Sequence, residues 1–314
     1  MYDIIVVGAG PAGLTAAIYA RRAEKSVLVI EKDTFGGQIT HSPRVENYPG
    51  FVAISGNELA DKLIEQAMEQ GAEIELDTVT GIKGSEGKYT VLCGSREYEC
   101  KAVIIATGSR HRTLGVAGEE RFTGEGISYC AVCDGAFYRG KSVAVIGGGN
   151  SALQDAVLLS ESCERVIVVQ NLDFLTGETK LQKILAEREN VEIILSSVVK
   201  RIISDGPEFK GVIIADASTG AESELRVDGM FVAIGQIPEN EAFENVIKLN
   251  DYGYIVAGEA CVPEMAEESE VSVGGIFAAG DCRTKTVRQI TTATADGAAA
   301  ALRATRFIDS LGVE

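Results

Sequence analysis

Two cysteines near the middle of the sequence, Cys130 and Cys133, have the spacing of a redox-active dithiol. A Cys-x-x-Cys pair at the start of a helix suits thiol–disulfide exchange, because the helix dipole lowers the pKa of a thiol and only the thiolate attacks. The second sulfur then lies close enough to resolve a mixed disulfide. Asp134 follows directly, and partial burial would raise the pKa of its carboxyl group towards a value useful for proton transfer. This segment therefore predicts thiol–disulfide chemistry.

Two other interpretations of the cysteine pair lead to different functions. A structural zinc site needs a second pair of ligands. The remaining cysteines form no second Cys-x-x-Cys pair and the histidines are isolated; these residues are Cys93, Cys100, Cys163, Cys261, Cys282, His41 and His111. We therefore predict no metal site. A buried, unreactive pair is the remaining alternative, because free cysteine often packs as a small apolar residue.

The elements that would position the dithiol belong to a segment that occurs twice. Residues 3–31 read DIIVVGAGPAGLTAAIYARRAEKSVLVIE, and residues 142–170, which begin 139 positions later, read SVAVIGGGNSALQDAVLLSESCERVIVVQ. Each repeat predicts a buried strand, a glycine-rich turn, a helix and a second buried strand. Two fingerprints in register predict two dinucleotide-binding βαβ units, since the glycines let the backbone approach a pyrophosphate at the positive end of a helix.

The residues that would bind nucleotide lie at matching positions of the two repeats. In the first repeat they are Gly8, Gly10, Pro11, Ala12 and Gly13, and in the second they are Gly147, Gly149, Asn150, Ser151 and Ala152. Glu31 ends the second strand of the first repeat, 18 residues after Gly13, where an acidic side chain accepts hydrogen bonds from ribose hydroxyls. Because Glu31 would repel a 2′-phosphate, the first repeat is predicted to bind FAD or NAD.

Later segments complete both nucleotide-binding layers. Residues 101–110 and 229–238 each predict an apolar strand that ends in a glycine turn. Residues 274–312 predict a strand, an acidic residue and an alanine-rich helix. The acid, Asp281, is placed to accept hydrogen bonds from sugar-like hydroxyls of a cofactor. The helix would begin near Arg288 and Gln289, and its N-terminus would stabilise an anionic reduced ring.

The predicted fold class is α/β, with two Rossmann-like dinucleotide-binding domains and the second inserted into the first. Residues 1–115 and 241–314 would form a discontinuous FAD-binding domain, because the first repeat needs a last strand and helix that only the C-terminal segment supplies. Residues 116–240 would form an NAD(P)-type domain that carries the dithiol.

Composition and charge exclude several classes of function. The chain of 314 residues carries a formal net charge of −17 and shows no basic stripe, so we expect no nucleic-acid binding. It contains no run of 18 apolar residues and no signal-peptide pattern, so neither a membrane span nor secretion is expected. Seven cysteines, most of them scattered singly, fit a reducing cytoplasm better than a secreted, disulfide-stapled fold.

The sequence resembles the low-molecular-weight thioredoxin reductase family over nearly its whole length. The resemblance rests on GAGPAG (8–13), GGQ (36–38), ENYPG (46–50), ATG (106–108), CAVCDG (130–135), GGGNSA (147–152), AAGD (278–281) and RQ (288–289). The most specific feature is the position of the dithiol, just before the second fingerprint. The resemblance implies FAD in the first domain, a nicotinamide cofactor in the second, homodimers, rotation of one domain against the other, and thioredoxin or a thioredoxin-like protein as partner.

The resemblance also implies roles for individual residues. Cys133 would lie nearest the flavin, Cys130 would attack the partner's disulfide, and Asp134 would be the general acid and base. Further cofactor-binding residues implied in the first domain, beyond those above, are Lys32, Gly37, Gln38, Asn47, Thr107, Gly108 and Gly280.

One stretch departs from the family pattern. NADPH-dependent members carry His-Arg-Arg and a further Arg at the end of the second strand of the second repeat. Those four positions here hold Gln170, Asn171, Leu172 and Thr176. Because 2′-phosphate recognition relies on bidentate arginine, we expect no preference for NADPH.

Two electron donors remain open. Gln170 and Asn171 would hydrogen-bond free ribose hydroxyls in an NADH-dependent enzyme. Alternatively, the nicotinamide site is degenerate and reduced ferredoxin is the donor, as in some similar proteins that lack the basic cluster. The intact Gly147, Gly149 and Ala152 favour NADH.

The function predicted is an FAD-dependent disulfide reductase that passes electrons through the flavin and the dithiol. A small-molecule dithiol oxidase, with oxygen as the final acceptor, is one alternative, and Asp134 disfavours it because it matches the reductase pattern. A non-catalytic flavin redox sensor, in which the dithiol switches domain orientation, is the other. The complete dithiol and both nucleotide turns favour the enzyme.

Overall fold

The computed structural model describes residues 1–85, 87–258 and 274–311, so Cys261 lies outside the described residues. The chain divides into an outer unit, Met1–Arg110 with Ile237–Glu314, and an inserted unit, His111–Gln236. The α/β class and the insertion of one Rossmann-like domain into another are confirmed. The predicted limits at residues 115 and 241 lie a few residues C-terminal of these boundaries.

The secondary structure follows the order that the two repeats predict. The N-terminal part contains β1 (Tyr2–Val7), α1 (Pro11–Arg22), β2 (Val27–Glu31), α2 (Gly56–Glu69), β3 (Glu73–Leu76), β4 (Val79–Ser85), β5 (Lys88–Cys93), β6 (Glu97–Ile105) and β7 (Ser109–His111). The middle part contains α3 (Glu119–Phe122), β8 (Ile127–Ser128), α4 (Ala131–Asp134), β9 (Ser142–Ile146), α5 (Asn150–Ser160), β10 (Arg165–Val169), α6 (Thr179–Ala186), β11 (Val191–Ile194), β12 (Ser197–Asp205), β13 (Glu208–Asp216), β14 (Glu222–Arg226) and β15 (Gly229–Val232). The C-terminal part contains β16 (Gln236–Pro238), β17 (Ile276–Ala278) and α7 (Ile290–Ser310).

The outer unit is built on one sheet with the strand order β3-β2-β1-β6-β5-β4, in which β17 also pairs with β6. The side chains of β1 alternate between two hydrophobic clusters: Ile4 belongs to one and Ile5 to the other. Both faces of this strand are therefore covered, as a parallel strand requires. The long β6 pairs antiparallel with β5 through its first half and parallel with β17 through its second half.

The C-terminal segment completes the outer unit as the sequence predicts. Besides β17, it contributes α7, which packs on α1. The two helices approach closely at Gly297, where a Cβ atom would overlap the carbonyl oxygen of Ala12. The C-terminal helix is thereby fixed beside the first glycine-rich turn.

The inserted unit contains a parallel sheet with the strand order β11-β10-β9-β15-β8 and an antiparallel sheet, β12-β13-β14. The glycine motifs predict neither this antiparallel sheet nor the β4–β5 hairpin of the outer unit. Such strands have one covered face and a mixed polar composition, so they lack the apolar runs that mark the parallel strands. Their positions in the sequence also have no fixed relation to the glycine turns. No helix among the described residues is long and apolar enough to cross a membrane.

Candidate active site: a dithiol and two glycine-rich turns

The two cysteines of the Cys-x-x-Cys segment are joined in a disulfide, with 5.3 Å between their Cα atoms. Cys130 is the N-cap of α4, and the backbone N–H of Cys133 donates a hydrogen bond to Cys130 Sγ at 3.2 Å. The predicted helix start is present, but α4 is a single turn that continues as a 3-10 helix over Gly135–Tyr138. Because the macrodipole sums aligned peptide units, its contribution at this site is smaller than the motif predicts.

The acid that follows the dithiol is half-buried and hydrogen-bonded. Ser128 Oγ donates to Asp134 Oδ2 at 2.6 Å, and the backbone N–H of Cys130 donates to Ser128 Oγ at 3.1 Å. Burial raises the pKa of the Asp134 carboxyl group above its usual value, and the hydrogen bond from Ser128 offsets part of that increase. Ser128 is itself buried at the end of β8. It is a site residue that the sequence motifs above do not include, although it lies only two positions before Cys130.

The first glycines of the two fingerprints have equivalent environments. Gly8 has φ +107°, and a Cβ there would overlap the carbonyl oxygen of Ala106, just after β6. Gly147 has φ +134°, and a Cβ there would lie 2.5 Å from the carbonyl oxygen of Ala233, just after β15. Both positions therefore require glycine for φ and for space. The repeat seen in the sequence corresponds to a repeated backbone geometry.

The helices that follow these turns begin without a capping side chain. Gly10 is the N-cap of α1, with Pro11 at its first position, and Gly149 is the N-cap of α5. The backbone N–H groups in the first helical turn of α1 and of α5 therefore face the glycine loop. This arrangement is suited to binding an anionic group. At Gly13 a Cβ would overlap the carbonyl oxygen of Gly8, whereas Ala152 is accommodated at the matching position of the second turn.

The Glu31 carboxylate lies at the end of β2 beside the first turn. Its Oε2 accepts a hydrogen bond from the Ala9 N–H at 2.8 Å, and its Oε1 accepts from the Lys32 and Asp33 N–H groups at 2.9 and 3.0 Å. A cavity of about 180 Å³ adjoins it, lined by Val7, Gly8, Ile30, Glu31, Lys32, Asp77, Thr78, Val79, Thr107, Glu239, Glu241, Ala242 and Phe243. The Lys32 ammonium group is paired with Glu239 at 2.6 Å.

Other predicted cofactor residues of the outer unit converge on the same turn. Gly37 begins a 3-10 helix, Gly37–His41, that includes Gln38, and a Cβ on Gly37 would lie 3.3 Å from the Cα of Gly10. Thr107 Oγ1 donates to Asn240 Oδ1 at 2.9 Å, and Gly108 follows it with φ +69°.

Asn47 and Gln289 are brought together from distant parts of the chain. The Asn47 Nδ2 group donates to Gln289 Oε1 at 3.1 Å, and Gln289 is the N-cap of α7. The predicted start of this helix near Gln289 is thus observed.

Asp281 carries a buried polar atom for which no partner exists among the described residues. It lies in a short 3-10 helix, Gly280–Cys282, and its Oδ1 accepts no hydrogen bond there. Burial raises the pKa of its carboxyl group. Nε of Arg288 is likewise buried and without a partner in the described residues, while its guanidinium group lies 4.4 Å from the ring centroid of Tyr254. Unpaired buried polar atoms are costly, so both atoms fit a site completed by a polar ligand such as FAD.

The predicted ribose-binding residues of the inserted unit differ in exposure. Gln170 is only 5% exposed and lies against the second glycine turn. Its Nε2 donates to the Phe174 carbonyl at 3.3 Å, and its Oε1 accepts from the Asn171 N–H at 3.2 Å. The Asn171 side chain is exposed. Of this predicted pair, only Asn171 is therefore open to a ligand in this arrangement.

The loop after β10 folds back on the second glycine turn. The Gly148 carbonyl oxygen accepts hydrogen bonds from the N–H groups of Thr176 and Gly177, both at 2.9 Å. The exposed Asn150 side chain exchanges two hydrogen bonds with Glu178, at 2.7 and 3.2 Å, and Ser151 beside it is exposed. Residues 176–178 of this loop are thus hydrogen-bonded to the second glycine turn, and no cationic residue takes part in these contacts.

No group of histidine, cysteine and carboxylate side chains in residues 1–85, 87–258 and 274–311 is arranged to hold a metal ion.

Comparisons with known proteins place these features in a family context. A family model described as pyridine nucleotide-disulphide oxidoreductase matches residues 2–297. The thioredoxin reductases of Listeria monocytogenes and Bacillus subtilis are each 42% identical over 311 residues, covering 99% of this chain and 95% and 96% of theirs. The crystal structure of thioredoxin reductase from Streptococcus pyogenes is 39% identical, with a TM-score of 0.91 over 99% of both chains. The resemblance predicted from the motifs is confirmed.

Proposed function

Because this chain belongs to the pyridine nucleotide-disulphide oxidoreductase family, we propose that it reduces the disulfide of thioredoxin or of a thioredoxin-like protein. The chain is an oxidoreductase of the thioredoxin reductase type, and its proposed electron path runs through FAD and the dithiol. The observation that carries the proposal is the Cys130–Cys133 disulfide, with the half-buried Asp134 carboxyl group directly after it.

The dithiol would perform the exchange in two steps. In the reduced enzyme, the Cys130 thiolate attacks one sulfur of the acceptor disulfide, an S–S bond forms, and the other acceptor sulfur leaves as a thiolate. Asp134 delivers a proton to that leaving group. The Cys133 thiolate then attacks Cys130 Sγ, which restores the intramolecular disulfide and releases the second acceptor sulfur. The two protons lost by the dithiol end on the acceptor.

FAD, when bound, supplies the electron pair that reduces the Cys130–Cys133 disulfide. Residues of the outer unit would hold it. Glu31 would accept hydrogen bonds from the adenosine ribose, and the N-terminus of α1 would bind the pyrophosphate. Asp281 Oδ1, which lacks a partner among the described residues, would accept a hydrogen bond from a hydroxyl group of the ribityl chain.

NADH, rather than NADPH, is the proposed donor. The segment from Gln170 to Thr179 contains no lysine or arginine, and two of its residues, Asp173 and Glu178, are acidic. A 2′-phosphate would meet negative charge without a compensating cation, whereas the exposed Asn171 amide can pair with free ribose hydroxyls.

The burial of Gln170 favours a second candidate donor. Its amide group is engaged by backbone groups of its own loop and does not face solvent. If the nicotinamide site is degenerate in this way, the second glycine turn serves only the packing of the strand against the helix, and electrons come from a protein such as reduced ferredoxin.

No contact among the described residues favours the dithiol oxidase or the sensor. A homodimer and a cytoplasmic location remain predictions.

An anaerobic titration tests the donor. The purified flavoprotein would be mixed separately with NADH, NADPH and reduced ferredoxin while flavin absorbance is followed. Bleaching by NADH at low concentration supports the first donor, and bleaching by ferredoxin alone supports the second. Preferential bleaching by NADPH would contradict both.

The Cys130→Ser variant tests the reductase function itself. Its flavin should still bleach, but reduction of an added bacterial thioredoxin should fall to background, because the attacking sulfur is gone. Full thioredoxin reduction by this variant would overturn the proposed function.

A further inference from the structure

The hydroxyl group of Ser128 connects the proposed acid to the first cysteine. It is 2.6 Å from Asp134 Oδ2, to which it donates, and 3.1 Å from the Cys130 nitrogen, from which it accepts. It also lies 3.4 Å from the Cys130 carbonyl oxygen. A hydroxyl group has one hydrogen and two lone pairs, so it donates to only one of these two acceptors at a time. The shorter bond, to a charged acceptor, is the preferred one.

The backbone of Ser128 is held by the parallel sheet. It ends β8, where Ser128 lies in register with Phe231 of β15. Asp134, in contrast, lies at the end of a single helical turn. The hydroxyl group thus links a carboxyl group on a short turn to a fixed strand, and Ser128 is only 4% exposed, which shields the link from water.

The same three contacts suit both protonation states of the acid. When Asp134 is ionised, the Ser128 hydrogen points at Oδ2. When Asp134 is protonated, its O–H can donate to the free lone pair of Ser128 Oγ, and the serine hydrogen can turn to the Cys130 carbonyl oxygen at 3.4 Å. Each partner then keeps a hydrogen bond, while the Cys130 N–H remains satisfied throughout.

We propose that Ser128 is a positioning residue for proton transfer by Asp134, because its hydroxyl group reverses its hydrogen bond as the carboxyl group gains and loses a proton. This inference rests on the proposed function, since it assumes that Asp134 transfers protons during disulfide exchange.

The test compares the Ser128→Thr and Ser128→Val variants as FAD-loaded enzymes. The two side chains have nearly the same volume, but only threonine keeps the hydroxyl group. Each enzyme would be reduced with dithionite, freed of excess reductant and mixed anaerobically with bis(2-hydroxyethyl) disulfide, whose alkyl thiolate leaving group takes up a proton near neutral pH. The pH would be varied from about 4, near the ordinary carboxyl pKa, to about 9. The oxidation of the dithiol, and the return of flavin absorbance that follows it, would be measured by stopped flow.

We expect Ser128→Val to slow the exchange about tenfold, a fraction of the usual contribution of general acid–base catalysis. The acidic inflection of its pH profile should move up by about one unit, because a donor that stabilises the carboxylate is lost. Ser128→Thr should restore the wild-type profile. Ser160→Ala provides the control, since Ser160 is also a buried serine of the inserted unit, but in the described residues its hydroxyl group bonds only the Val157 carbonyl oxygen.

A second arm uses the Asp134→Asn background. If Ser128 acts through Asp134, adding Ser128→Val to Asp134→Asn should cause little further loss. Equal slowing in both backgrounds, or a Ser128→Val profile with an unchanged inflection, would overturn the inference. A wild-type enzyme that reduces neither this disulfide nor thioredoxin would instead overturn the proposed function, so the two failures are distinguishable.

Discussion

The side chain of Gln170 lies directly against the backbone of Gly148, so that a Cβ atom added at Gly148 would be 2.5 Å from Gln170 Cδ. An uncharged, buried amide thus occupies the first of the four positions where the basic cluster of NADPH-dependent relatives is expected. The next two positions, Asn171 and Leu172, are exposed. A gain of 2′-phosphate recognition should therefore be possible at the exposed positions without disturbing Gln170.

The Asn171→Arg/Leu172→Arg double variant should bind NADPH more tightly. A charged hydrogen bond contributes about 1.5–3 kcal/mol, so the KM for NADPH should fall at least tenfold while the KM for NADH changes little. Steady-state kinetics with each nucleotide measure both values. Asn171→Gln/Leu172→Gln is the uncharged control. An unchanged NADPH KM in a folded double-arginine variant would contradict a nicotinamide site at this loop.

Gly8→Ala should lose FAD because of overlap with Ala106. Gly8 and Gly50 have the same φ, +107°, but a Cβ has nothing within 4 Å at Gly50. Comparing Gly8→Ala with Gly50→Ala therefore separates steric overlap from backbone strain, which costs about 1 kcal/mol. The ratio of flavin to protein absorbance after purification should fall sharply for Gly8→Ala alone. Equal ratios in the two variants would show that the first turn does not bind the cofactor.

Asp281→Ala should have opposite effects on the apoprotein and the holoprotein. It removes a buried carboxyl oxygen that lacks a partner in the described residues, so the Tm of the apoprotein should rise. FAD affinity, measured by fluorescence titration, should fall about tenfold or more.

Asp296→Ala is the contrasting variant for Asp281→Ala. The Asp296 carboxylate is buried and accepts hydrogen bonds from Arg283 at 2.8 and 2.9 Å and from Lys285 at 2.9 Å. Removing it should destabilise the apoprotein by about 3–5 kcal/mol, because two buried cations lose their carboxylate. A lower apoprotein Tm for both variants would argue against a role for Asp281 towards the cofactor.

Asp155 on α5 should make stability depend on pH. Burial raises the pKa of its carboxyl group from 3.8 to about 6. The folded state therefore binds more protons than the unfolded state between about pH 4 and pH 6, so the stability contribution falls as pH rises through this window. Asp155→Asn should be stabilising at pH 7, by up to about 3 kcal/mol, and nearly neutral near pH 4.

Thermal unfolding at the two pH values checks this expectation, with Asp173→Asn as an exposed control on the same unit. A Tm difference between Asp155→Asn and wild type that does not change with pH would contradict it.

The features that depend on local residue patterns were predictable from the sequence. The two glycine turns, the helices that follow them and the Cys-x-x-Cys spacing all use residue types that a specific backbone geometry demands, as Gly8 and Gly147 show. The apolar strand and helix near the C-terminus were also identifiable, because the first repeat is incomplete without them. Family resemblance added roles for Gln38 and Asn47 that spacing alone does not supply.

The contacts between side chains whose positions follow no sequence pattern are established by the folding of the chain. The burial of Gln170, the bond from Ser128 to Asp134 and the pairing of Asn47 with Gln289 each depend on rotamers selected by packing. The antiparallel β12-β13-β14 sheet likewise depends on pairing between strands of mixed polarity. A residue's type states which bonds it can make, but the surrounding fold determines which of them are made.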